Sequence, residues 1–148
     1  MDDSANDRGR ERGQIIVIFA LGLVAMVAMV GLVLDGGSAF AQRRTEQNAA
    51  DLAALSGANI YLLTGSQDQA TAAARATSAA NGFTHGAGGI AVNVTYELTD
   101  GAEVTVKIDA PHRNSFVGVM GMTSWTVSTQ ATAETGIPNG VTDKVAPF

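Results

Sequence analysis

RGQIIVIFALGLVAMVAMVGLVLDGGSAFAQRR, residues 12–44, is the stretch whose reading decides the fold. Within it, residues 15–34 carry no charge and no strongly hydrogen-bonding side chain, and thirteen of the twenty are Ile, Val, Leu or Phe. As a helix such a run spans about 30 Å, the thickness of a bilayer core. Inserting the thirteen large apolar residues gains about 5 kcal/mol, and no polar residue offsets it. A soluble chain of 148 residues has too little mass to surround a helix that is apolar on every side. Residues 15–34 are therefore read as a transmembrane helix preceded by a cytoplasmic segment, 1–14. Ala39-Phe40-Ala41 has the small-x-small pattern of a signal-peptidase site. A signal peptide, however, uses an apolar core of about 7–15 residues, so retention as an anchor is the preferred reading. Arg8, Arg10 and Arg12 lie closer to the run than Arg43 and Arg44 do. The positive-inside rule then puts the N-terminus in the cytoplasm and the C-terminal part outside it, a single-pass protein of the cytoplasmic membrane.

Working outward, the sequence becomes amphipathic after Asp35-Gly36-Gly37. Leu52, Leu55, Asn59 and Leu62 fall at helical spacing, with Ala49 and Ala58 flanking them, while Arg43, Glu46 and Gln47 lie off that stripe. The helix is expected to continue the membrane segment, with a bend at the Gly pair, and to end at Thr64-Gly65-Ser66. A second, Ala-rich helix is expected over 66–81, closed by Gly82. Together the two helices make up a segment over 35–82.

The order Arg12-Gly13-Gln14, an apolar run, an Asp, then QRRTEQNAADLAALSGA (residues 42–58) resembles the N-terminal part of the Flp pilus-assembly proteins of the TadE/TadG type, from the tight-adherence (Tad) system. GMTSWTVSTQATAET, residues 121–135, resembles the final strand such proteins carry. The resemblance implies a bacterial, membrane-anchored, minor-pilin-like structural component of pilus assembly and surface adhesion. Its family-motif helix is carried by Gln47, Asn48, Ala49, Ala50, Asp51, Ala54 and Leu55. Relatives cleaved by a prepilin peptidase have a Gly, the cut, and a Glu five residues after it. Gly13 and Gln14 give a candidate processing site, but Ile18 stands where that Glu would be. Ile18 cannot pair with a neighbour's N-terminal amine, and its presence fits the TadG-like branch better. Membrane lipid and other pilus-assembly or pilin-like proteins are the partners this implies.

From Ile90 the apolar period changes to two. Ile90, Val92, Val94, Tyr96 and Leu98 share one face, as do Val104, Val106, Ile108 and Ala110. A three-residue Thr99-Asp100-Gly101 loop pairs Tyr96 with Val104, Val94 with Val106 and Val92 with Ile108, which keeps that face apolar. A third strand places Trp125, Val127, Thr129, Ala131 and Ala133 together. Residues 114–122, between the second and third strands, are read as a short helix or turn capped near Asn114 or Ser115. An antiparallel sheet with one apolar face needs a cover, and the amphipathic helix is the candidate. The expected fold is α+β and pilin-like: a long N-terminal transmembrane and amphipathic helix packed on an antiparallel β domain, 90–135, of three or more strands. Residues 136–148 are read as a flexible tail.

Composition narrows the chemistry. There is no Cys, and from Asp35 onward ten acidic residues face six basic ones, with no basic-aromatic patch for nucleic acid. His85, in a Gly-rich turn whose glycines 86–89 read as a hinge, and His112, after Pro111, are both read as exposed. Asp109 and His112 lack a Ser in a strand-to-helix elbow, so neither a catalytic triad nor a metal or cofactor site is expected, and the chain is not read as an enzyme. Gly22, Ala25, Ala28 and Gly31 recur every third residue, but they spread over half the helix circumference. A homo-oligomer through the N-terminal helix is compatible with them without being specified by them. The alternative function is a secreted or tethered extracytoplasmic ligand-binding module, released if the site after Ala41 is used.

Overall fold

The computed structural model describes residues 4–98 and 102–135. Helix α1 runs over Ser4–Thr64 and α2 over Gln67–Ala80; the strands are β1 Ala91–Glu97, β2 Ala102–Arg113 and β3 Ser124–Thr135, with a 3-10 turn Val117–Met120 before β3. The expected loop 99–101 and tail 136–148 lie outside the described residues. The chain forms two compact units through which α1 passes in turn. One is α1 up to Ser38 with Arg113–Thr123; the other is Ala39–His112 with β3.

The first unit holds the apolar run. No proline precedes Pro111, so nothing removes a backbone donor from α1. Gly36 and Gly37 cost about 1 kcal/mol each as helix residues, yet both are helical and the helix is uninterrupted through them. The side chains of residues 15–30 are all exposed. Helix α1 is thus long and apolar enough to cross a membrane, and almost none of its apolar window is buried.

The second unit is a helix-on-sheet layer. α1 stops at Gly65, which adopts the left-handed conformation (φ +67°) and returns its N–H to Tyr61 O at 2.8 Å. Ser66 then caps α2 by accepting from the Gln69 N–H, with Asp68 in the first turn favoured by the helix dipole. α2 ends in a Schellman motif: left-handed Gly82, Phe83 N–H to Ser78 O and Gly82 N–H to Ala79 O, both 3.0 Å. The sheet order is β1-β2-β3. The β1–β2 register is the expected one, with Tyr96 opposite Val104, Val94 opposite Val106 and Val92 opposite Ile108. Val92, Val104, Val106 and Ile108 are completely buried, and Val127, Thr129, Ala131 and Ala133 of β3 join them. Leu98, expected on this face, is exposed beyond the end of β1.

Three expectations are corrected. The sheet-facing stripe of α1 is not the leucine stripe. Ala49, Ala50, Ala53, Ala54 and Ala58 are buried in the core, whereas Leu52, Leu55 and Leu62 are exposed. Close approach is the reason: a Cβ on Gly57 would lie 3.3 Å from both Ala74 Cβ and Val104 Cγ1. Only small side chains fit between a helix and a sheet held that near. Next, β2 continues past Pro111 to Arg113, and His112 is buried rather than exposed. The ladder with β1 begins at Asp109, so Pro111 interrupts no pairing there. Finally, the turn before β3 is capped by neither Asn114 nor Ser115, as the geometry below shows. The Gly86–Gly89 segment is a hydrogen-bonded turn, with Gly86 N–H to Ile90 O at 2.8 Å and His85 Nδ1 accepting from the Val92 N–H at 2.9 Å.

Candidate functional site

The motif helix is two-sided. Gln47 Nε2 donates to Asp51 Oδ1 within the helix and to Gln130 O on β3, both at 3.0 Å, which ties the motif to the sheet. Ala49, Ala50 and Ala54 lie in the core, together with Ala53, which the sequence reading did not single out. Asn48, Asp51 and Leu55 point away and are exposed. Asn48, Leu52, Leu55, Asn59 and Leu62 follow one another at steps of 4, 3, 4 and 3 and are all exposed, the seam spacing of a helix that packs on another helix. Gly13 and Gln14 lie within α1. So do Ala41 and Gln42, and a cut between them would sever the helix that covers the sheet.

Beneath the first turns of this segment lies a polar cluster. Gln42 Oε1 is 2.7 Å from His112 Nδ1, and the His112 ring stacks on Trp125 with centroids 5.7 Å apart. Glu46 is fully buried; its Oε1 accepts from the Thr129 hydroxyl at 3.3 Å, while Oε2 has no hydrogen-bond partner. Burial raises its pKa from 4.5 to about 7, helped by the nearby Asp109 and opposed by Thr129, Gln42 and Arg43. Asp109 itself is held below the usual carboxylate range by the Ser128 hydroxyl and by Lys107 at 3.1 Å. Among the described residues no group of three or more His, Asp or Glu is arranged to hold a metal. The cluster is not legible in the sequence, because Glu46 lies off the leucine stripe, on what reads as the polar side of the helix.

Glu46 carries a pH prediction. Its folded-state pKa lies above the unfolded value, so the folded protein prefers the protonated acid. Its contribution to stability is then fully present below about pH 4.5, is lost as pH rises toward 7, and changes no further above it. At 1.36 kcal/mol per unit, the total loss is at most about 3.4 kcal/mol. Glu46→Gln should remove most of this slope and make the protein more stable than wild type at pH 8. Denaturant midpoints of the full chain in detergent at pH 5 and pH 8, followed by the single Trp125, check both. A wild-type midpoint that rises with pH over this range would refute the assignment.

The second arrangement is in the unit that holds the apolar run. Asp35, buried at 2% exposure, accepts the backbone N–H groups of Ser115 (3.0 Å), Phe116 (2.9 Å) and Val117 (2.7 Å). The carboxylate thus caps the 3-10 turn from eighty residues away. Asn114 closes the base of the turn, with its N–H to Thr123 O at 3.0 Å and Nδ2 to Met122 O at 2.8 Å. Phe116 sits directly on Gly31: a Cβ there would be 2.6 Å from Phe116 Cβ. Gly31, first grouped with Gly22, Ala25 and Ala28 as a small residue of the membrane helix, is therefore occupied within the chain.

No curated protein and no solved structure matches the chain. Residues 13–59 match the Tad family model, Flp pilus-assembly TadE/G-like, which covers the apolar run, Asp35 and the two-sided motif helix and stops before α2 and the sheet.

Proposed function

We propose that the chain is a membrane-anchored, pilin-like structural component of Flp-type pilus assembly and surface adhesion, of TadG-like character. It would have its N-terminus in the cytoplasm and its sheet outside. The observation that carries this reading is the two-sided motif helix within the family match: one face is spent on the protein's own sheet, and the other presents Leu52 and Leu55 to solvent, with Leu62 continuing that face just beyond the match. We assign that second face to a neighbouring pilin-like helix of the assembly. A partner anchored in the same membrane in the same direction would meet it in parallel, and the Asn48 and Asn59 positions would set the register at a cost in affinity.

Deleting the gene in the strain of origin and restoring it as wild type or as Leu55→Arg tests this. Wild type should restore surface filaments. Leu55→Arg should not, while its stability stays within about 0.5 kcal/mol, because the residue is exposed. Filaments in the deletion strain would refute the pilus role, and full restoration by Leu55→Arg would refute the face. The intact mass of the membrane-purified protein separates this reading from a released ligand-binding module. A full-length chain, allowing for Met1, supports an uncut anchor; a start at Gln14 indicates a processed filament subunit; a start at Gln42 indicates the released module.

A further inference from the structure

The turn pinned by Asp35 has three properties that belong together. Its outward side chains are apolar: Val119 is 88% exposed, Met122 58% and Phe116 44%. Between Arg113 and Thr123 it carries no charge. Its position is fixed by the Phe116–Gly31 contact, and Gly31 lies three residues inside the apolar run that ends at Leu34, about 4.5 Å along a helix. We propose that residues 114–123 form a second membrane element, a short wedge whose Phe116, Val119 and Met122 side chains enter the headgroup–acyl boundary of the bilayer that holds residues 15–34. This rests on the anchor reading of that run.

Backbone at that depth must have its polar groups bonded within the protein. Here the N–H groups of Ser115, Phe116 and Val117 go to Asp35, that of Asn114 to Thr123 O, that of Val119 to Phe116 O and that of Gly121 to Gly118 O. Arg113, exposed at the base, is placed to reach headgroup phosphates. The occupant is lipid because the contact with Gly31 puts the turn alongside residues whose own side chains face lipid.

The chain has no Cys, so single cysteines report one site each. Val119→Cys, Val24→Cys within the run and Thr64→Cys at the end of α1 would be labelled with a nitrobenzoxadiazole fluorophore. The full chain would be reconstituted in phosphatidylcholine–phosphatidylglycerol vesicles and quenched with doxyl-labelled lipid or aqueous iodide. The expected result is loss of fluorescence to doxyl lipid at 24 and 119 and to iodide at 64. If 24 is lipid-quenched and 119 behaves like 64, the wedge is overturned and the anchor stands. If neither is lipid-quenched, both fall. If 119 is shielded from both quenchers until the protein is diluted with lipid, a second copy covers the turn and the proposal is overturned.

Discussion

Ala53→Leu is expected to cost about 3 kcal/mol or more, while Leu55→Ala, two residues away on the same helix, is expected to stay within about 0.5 kcal/mol of wild type. A count of hydrophobic atoms would give the opposite order. Ala53 is completely buried in a cluster with Val92, Val104, Val106 and Ile108, and Leu55 is 61% exposed. Three added carbons at position 53 have no free volume to enter. The gap can be judged from Gly57, one turn on, where even a single added carbon would stand 3.3 Å from Val104 Cγ1. The leucine must therefore move the helix off the sheet, which also strains the Gln47–Gln130 tie and exposes Glu46 to water. The denaturant midpoint of the full chain in detergent, read by Trp125, measures both variants. Equal midpoints for the two would mean that the alanine stripe is not the contact face.

This contrast also marks what could and could not be read from the sequence. The strand register was readable because a slip of one residue would turn Val104, Val106 and Ile108 outward, and a short three-residue loop selects one pairing among those that keep them inward. The helix ends were readable because Gly65 and Gly82 with Ser66 are specific turn chemistry. The helix face is not readable from residue size, because the largest apolar residues of this segment, Leu52, Leu55 and Leu62, are not its core. Yet Ala49, Ala50, Ala53, Ala54, Gly57 and Ala58 recur at steps of three and four, and small residues in that pattern are what a closely approached helix requires. That signal was present and outweighed by three leucines. Glu46 follows from the same error: once the face is turned, a residue off the leucine stripe is a residue toward the sheet. His112 differs, because a strand that runs on through Pro111 carries it to the buried face. Asp35 is a different case. Its quality as an anion is visible, but its partners lie eighty residues away, and no local pattern joins a carboxylate to the amides of a distant turn.

Removing that carboxylate should have the other large effect. Asp35→Ala leaves the N–H groups of Ser115, Phe116 and Val117 without their acceptor in a partly buried setting. Hydrogen bonds to a charged group contribute about 1.5–3 kcal/mol each, and they do not add fully because all three serve one turn. A loss of about 3–5 kcal/mol in the free energy of opening the turn follows. It appears locally, since the turn is held otherwise by the Asn114 bonds and the Phe116–Gly31 contact. Hydrogen exchange of the full chain should show the amides of residues 115–117 speeding up by two to four orders of magnitude, roughly that free energy at 1.4 kcal/mol per decade. The β2 amides of Val104, Val106 and Ile108 should be unchanged. Asp35→Asn, which keeps the acceptor oxygens' reach but only one oxygen and no charge, should fall between. If the 115–117 amides exchange in Asp35→Ala as they do in wild type, the carboxylate is not what holds the turn, and the placement of Phe116 on the apolar run of α1 loses its support.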